Sequence, residues 1–285
     1  MNSPFRIAVI NDEIGQDFGR ACEVASREFA MEWIELRGMW SKNILKLDAN
    51  EVAEARRILE KYKLRVTDIA SPLFKVDWPD APKSRFSPKG AKFNADFTYG
   101  QQGEVLERSI ALAKAFNTDR VRCFDFWRLD DPVPYRAAIN AKLLEAANTA
   151  GKQGITLILE NEYARSRVAG VQSPSLMLNW DPGNAAGRGE TPYPGAYNLL
   201  PKNRIGHCHC KDVAKITDAK AEPAWAAMGA GAIDWIGQFT ALKRDGYHCA
   251  VSLETHWRGA GTPEESTRQS WAGMKEELRK AGALT

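Results

Sequence analysis

Eight short apolar, β-branched runs recur along this chain, and most of the segments between them carry helical spacing. The runs are RIAVI at 6–10, WIELR at 33–37, LRVTDIA at 64–70, RVRCFDF at 120–126, ITLILE at 155–160, LMLNW at 176–180, RIGHCHC at 204–210 and HCAVSLE at 248–254. Phe18, Cys22, Ala25 and Phe29 fall on one helical face. So do Val105, Ile110, Leu112 and Ala113, and likewise Trp235, Phe239, Ala241 and Leu242. Alternating β and α units build a parallel sheet. Eight of them predict an α/β fold of the (β/α)8 TIM-barrel type, with chemistry at the C-terminal ends of the strands. An open doubly wound sheet would carry a Gly-rich turn after its first strand, but that turn reads NDEIGQD, without GxGxxG.

A chain of 285 residues suits one such barrel, and no linker interrupts it, so 1–285 reads as a single domain. The spacing is uneven in two places. After the third run, residues 71–100 show no helical period and contain four prolines, which predicts a long loop at the barrel mouth. Its aromatics (Phe74, Trp78, Phe86, Phe93, Phe97, Tyr99) argue for packing rather than disorder. After the fifth run only residues 161–175 remain before the sixth, so the fifth helix is expected to be short or lost.

Composition excludes several classes. With 44% hydrophobic and 26% charged residues the chain lies far from disordered sequences. Thirty-nine basic against 36 acidic residues leave a net charge of +3, which argues against a nucleic-acid partner. No run approaches the roughly 18 apolar residues of a membrane span, and the N-terminal stretch turns acidic before a signal-peptide core could form. Five cysteines, odd in number and without CxxC pairs, suit a reducing compartment. The expected setting is the cytoplasm, without a membrane partner; a homo-oligomer stays open.

Four late strands end on polar residues: LEN, WDPGN, HCHCKD and SLETHW. Side chains alternate across a strand. Leu157 and Leu159 then face the helices and Glu160 faces the axis. Leu178 and Trp180 face out and Asp181 faces in. Val251 and Leu253 face out and Glu254 faces in. His207 and His209 share one face, with Cys208 and Cys210 packing on the other. Three carboxylates converging on one mouth repel one another unless a cation joins them. A divalent ion held by Glu160, Asp181, His209 and Glu254 resolves this, and an oxygen-rich set with one imidazole favours Mn²⁺, with Mg²⁺, Co²⁺ or Zn²⁺ as alternatives.

These four segments, in this order, resemble the xylose isomerase-like barrel superfamily of sugar phosphate isomerases and epimerases, over essentially the whole chain. The resemblance implies the same four metal ligands, one per segment. It implies that Glu160 and Glu254 also act as an acid/base pair, moving a proton beside a carbonyl through an enediolate. The implied substrate is a small carbohydrate or keto-acid. Returning the proton to the opposite face gives an epimerase, returning it to the next carbon gives an isomerase, and loss of a hydroxyl gives an inosose-type dehydratase. Where related epimerases carry a histidine three residues after the aspartate, this chain has Asn184. With Glu35, Arg37, His207, Lys211, Trp257 and Arg258 it completes the candidate substrate contacts. For Glu35 and Arg37 the bland reading is an internal ion pair, and for His207 a packed core histidine. Two rival functions are a non-catalytic carbohydrate-binding barrel and a zinc phosphodiesterase. The second is poorly supplied, since the chain has four histidines, none before residue 207.

Overall fold

The apolar runs become eight parallel strands in a nearly closed barrel. The computed structural model describes residues 2–87, 96–161, 170–216 and 223–285. The strands are β1 (Arg6–Val9), β2 (Trp33–Leu36), β3 (Arg65–Leu73), β4 (Arg120–Cys123), β5 (Thr156–Glu160), β6 (Leu176–Trp180), β7 (Ile205–Cys210) and β8 (Ala250–Leu253). Each pairs with the next from β2 to β8, and β8 returns to pair with β1. Between β1 and β2 the contact is one bridge, from Ile10 to Glu35.

Helices cover the outside: α1 (Phe18–Glu23, extended by a wider turn over Val24–Glu28), α2 (Ala49–Tyr62), α3 (Gln102–Ala115), α4 (Arg136–Gly151), α5 (Pro182–Ala186), α6 (Trp235–Arg244) and α7 (Pro263–Lys280). Local chemistry sets their starts. Asp48 and Glu51 form a reciprocal capping box on α2, and Thr262 followed by Pro263 opens α7. The expected short fifth helix falls on residues 162–169, and Phe93 of the long loop on 88–95; both lie outside the described residues.

Two layers follow from strand alternation. Leu157, Leu159, Leu178, Trp180, Cys208, Cys210, Val251 and Leu253 join one apolar cluster that also contains Phe18, Cys22, Phe29, Ile110, Phe239 and Trp271. The interior combines small or apolar Ala8, Ala70, Ile158 and Ala250 with buried Glu35, Asp68, Arg122, Asn179, His207, His209 and Ser252. Burying this many polar groups is expensive unless they are paired, so their partners define the interior.

Strand β3 runs three residues further than expected. Pro72 cannot donate to the ladder. A register shift absorbs it, so that Ile69 faces Val121 and Leu73 faces Cys123. Strand β4 is correspondingly shorter, ending at Cys123. The chain beyond it turns at Phe126, where φ is +69°, into an aromatic cluster with the start and end of the long loop. Phe126 lies 5.0 Å from Phe74, 4.8 Å from Trp78 and 6.0 Å from Tyr99 between ring centres. Phe74, Trp78 and Tyr99 of the loop are thus packed against the barrel rim, as its aromatics predict.

Helix α7 lies so close to the 225–233 segment that only glycine fits at 273. A Cβ there would stand 1.7 Å from the Met228 carbonyl oxygen. The Gly273→Ala variant is expected to lose about 3 kcal/mol of stability, read as a lower urea midpoint with unchanged native circular dichroism. An unshifted midpoint would show that the Met228 segment yields freely.

Candidate active site

Glu160 closes β5, Asp181 follows β6, His209 lies in β7 and Glu254 follows β8. All four are buried, and one ligand atom from each lies within 4.8 Å of the others. His209 Nδ1 is 3.2 Å from Glu254 Oε2 and 3.8 Å from both Asp181 Oδ2 and Glu160 Oε2. The WDPGN turn aims Asp181. As N-cap of α5 its Oδ1 accepts from the Asn184 backbone N–H at 2.9 Å, with Pro182 in the first turn, leaving Oδ2 for the site. Asn161 holds the same residue from both ends, accepting from its N–H at 2.7 Å and donating to its carbonyl at 3.1 Å. Asn184 Nδ2 donates to Glu160 Oε1 at 3.2 Å, so this residue steadies a second carboxylate.

Beneath this set runs a buried acid–imidazole chain. Glu35 Oε1 lies 3.0 Å from His209 Nε2, and its Oε2 lies 3.0 Å from His207 Nε2. His207 Nδ1 is 3.6 Å from Asp68 Oδ1. A hydrogen bond at Nε2 leaves Nδ1 as the His209 atom that meets the carboxylates. Burial pushes Glu35 up, but His209 and His207 outweigh it and hold the carboxyl well below its ordinary range. Burial pulls His209 down, and Glu35 and Glu254 more than offset this, raising it well above the usual imidazole range. Burial and the neighbouring Glu35 charge raise Asp68 to about 6.

Cations compensate the carboxylates. Lys211 Nζ lies 2.7 Å from Asp181 Oδ2 and 2.7 Å from Glu254 Oε2. Arg37 donates from Nη1 to Glu254 Oε1 at 2.6 Å, from Nη2 to Glu13 Oε1 at 2.6 Å and from Nε to Asp12 Oδ1 at 2.8 Å. Arg122 Nη1 stands 3.1 Å from Glu160 Oε2. Burial pushes Glu254 up, but Lys211, His256 and His209 hold it well below the usual carboxylate range. The donors fit a divalent cation. Among the described residues Glu160 Oε2 and Asp181 Oδ2 are buried and have ion-pair contacts, with Arg122 and Lys211 respectively, but no well-aligned hydrogen bond, and three carboxylates with one imidazole are the ligands such an ion takes.

Above the carboxylates opens a cavity of about 260 Å³. Arg37, Asn184 and Lys211 line it, as do Glu160 and Glu254. Four expected substrate contacts are not among its lining residues. Glu35 and His207 are wholly buried beneath it, bonded to each other. Glu35 is therefore the partner of the histidines and not of Arg37, which corrects the ion-pair expectation. Trp257 and Arg258 lie outside, with Arg258 donating to Glu13 at 2.8 Å. His256 takes φ +50°, so the chain turns at that point and His256, not Trp257, lines the cavity. Lys75, Arg122, Trp225 and His256 are among the lining residues that the sequence left unassigned. Trp225 rides on a segment fastened by Asp212, which accepts from the N–H groups of Val213, Gly229, Gly231 and Ile233 at 2.9–3.2 Å.

A family model described as xylose isomerase-like TIM barrel matches residues 24–277. No curated protein matches the chain. Among solved structures, a xylose isomerase-like TIM barrel protein from Mycobacterium smegmatis in complex with magnesium is 17% identical, with a TM-score of 0.71 and 100% of both chains covered. The probable 3-DHS dehydratase AsbF from Bacillus anthracis is 16% identical, with a TM-score of 0.68 over 95% of this chain and 98% of that one. A D-psicose 3-epimerase crystallised with D-fructose is 14% identical, with a TM-score of 0.69 over 98% and 100%. At these identities the likeness is one of fold. Among the described residues, no helix is long and apolar enough to cross a membrane.

Proposed function

The chain belongs to the xylose isomerase-like TIM barrel family, and from that premise we propose that it is a divalent-metal-dependent isomerase or epimerase of a small carbohydrate or keto-acid. The observation that carries this reading is the convergence of four buried donor atoms, three carboxylate oxygens and one imidazole nitrogen, from four consecutive strands. Glu160, Asp181, His209 and Glu254 would hold the ion, with Mn²⁺ the first choice on this donor set. Bound there, a divalent ion supplies Lewis-acid polarisation of a substrate carbonyl.

The chain's own residues do the rest. Strands β5 and β8 are not neighbours, so Glu160 and Glu254 reach the cavity from separate sides. One takes a proton from the carbon beside the carbonyl and the other returns one. Asn184 and Arg122 orient Glu160, and Arg37 and Lys211 orient Glu254. Glu35 fixes the imidazole of His209 from beneath. Lys211 and His256 face the cavity as donors to substrate hydroxyls. Five buried free thiols support a reducing, cytoplasmic setting.

The test is a calorimetric titration of chelator-stripped protein with Mn²⁺, followed by a screen of ketoses, keto-acids and inososes for C–H exchange in heavy water. One ion per chain and an exchanging substrate are expected. Water loss from the exchanging substrate would make the protein a dehydratase instead. Metal binding with no exchange across the screen would point to a carbohydrate-binding barrel. Uptake of several zinc ions would point to a phosphodiesterase, and no metal uptake would overturn the reading.

A further inference from the structure

The cavity has a second pole. Strand β3 lies four strands from β7 in either direction around the barrel, directly across from His209 and Lys211. Two residues past its end stands Lys75, which lines the cavity beside Arg122, Phe124 and Trp127. Its ammonium lies 4.7 Å from the ring centre of Phe124 and 5.7 Å from that of Trp127.

Among the described residues this ammonium has neither an ion pair nor a hydrogen bond, whereas Arg37, Arg122 and Lys211 are each matched by carboxylates. Burial and the nearby Arg122 charge lower it to about 8, outweighing the pull of Glu160 and Glu254, the direction expected of a half-buried cation without an adjacent counter-charge. A desolvated charge is tolerated when something compensates it. The aromatic faces do so in part. The remaining compensation is open to a ligand.

We infer that Lys75 forms an anion subsite at the pole of the cavity opposite the proposed metal site, and that the substrate is a sugar acid or keto-acid whose carboxylate docks there. The inference rests on the metal-site reading for the position of the reacting carbons. A single ammonium set between two rings matches a planar monoanion. Among the described residues this pole offers one ammonium not already matched by a carboxylate, which suits a monoanion better than a phosphate dianion.

The experiment is calorimetric binding of D-gluconate, sorbitol and sorbitol 6-phosphate to the Mn²⁺-loaded protein, in the wild type and in Lys75→Met and Lys75→Arg. Gluconate is expected to bind about 10- to 100-fold more tightly than sorbitol, the range of one charge-assisted hydrogen bond. Lys75→Met should abolish that preference while leaving sorbitol and Mn²⁺ binding unchanged, and Lys75→Arg should retain most of it. A preference that survives Lys75→Met would place the carboxylate on the metal and overturn the inference. So would gluconate binding no better than sorbitol, or sorbitol 6-phosphate outbinding gluconate. Failure of the underlying reading shows separately, as absent Mn²⁺ uptake before any polyol is added. The gluconate–sorbitol comparison on Lys75→Met then still decides whether Lys75 holds an anion.

Discussion

Glu254→Gln is expected to abolish substrate C–H exchange, to weaken Mn²⁺ binding by at least about 100-fold, and to cost about 3 kcal/mol of stability. The three losses share one origin. Glu254 Oε1 accepts from Arg37 at 2.6 Å, and its Oε2 accepts from Lys211 at 2.7 Å while facing His209 Nδ1 at 3.2 Å. Glutamine keeps the shape but removes the charge. Two buried cations then lose a counter-ion, the metal set loses an anionic donor, and one member of the proton-moving pair can no longer be ionised. Urea unfolding reads the first effect, titration with Mn²⁺ the second and proton NMR in heavy water the third. Because the variant is destabilised, exchange is measured under conditions where circular dichroism shows it folded. Normal exchange in that state would refute the catalytic role. Undiminished Mn²⁺ affinity would reduce Glu254 to a counter-ion for Arg37 and Lys211.

What the sequence reveals about this centre is what strand alternation determines. Glu160, Asp181, His209 and Glu254 end up together because each lies one residue from an outward-facing apolar neighbour on a recognisable strand. Alternation also turns Cys208 and Cys210 into the helix layer. It says nothing about which inward residues meet across the barrel. Glu35 and Arg37 share a face of β2, so pairing them is natural. Their real partners lie 172 and 217 positions away, at His207 and Glu254, and barrel closure brings them together. The pattern also ends where strands end. Lys75 and His256 stand just past β3 and β8, and both lie among left-handed backbone residues, at Phe74 (φ +62°) and at His256 itself (φ +50°). At such positions the direction of a side chain depends on turn geometry that no periodicity encodes. Pro72 misleads for a related reason. It reads as a strand breaker, yet the register shift between Ile69 and Leu73 accommodates it and carries β3 on towards the cavity.

Arg37 joins three buried carboxylates, so Arg37→Met is expected to destabilise the protein by about 3–5 kcal/mol at pH 7. Its guanidinium serves Asp12, Glu13 and Glu254 at once. A lysine has one point charge and cannot fork to three acids, so Arg37→Lys should recover only a minor part. The pH dependence distinguishes lost charge pairing from lost packing. In the wild type, burial pushes Glu13 up but Arg37 and His256 hold it well below its ordinary value. A carboxyl depressed on folding adds stability that is complete above its unfolded pKa, about 4.3, and is lost as the pH falls through the lower folded value. Without Arg37 only His256 and Arg258 oppose burial, and the folded pKa is expected to rise above the unfolded one. Stability is then retained at low pH and lost as the pH rises through the folded pKa. The deficit of Arg37→Met should accordingly be largest near neutrality and shrink towards pH 4, as measured by urea midpoints across that range. A deficit independent of pH would mean that the side chain matters for its volume alone. Added Mn²⁺ gives a second handle on the same variant. If Glu254 is a ligand, the ion replaces the counter-charge that one of the three acids lost with Arg37 and recovers part of the lost stability. A variant indifferent to Mn²⁺ would separate the Arg37 network from the metal site.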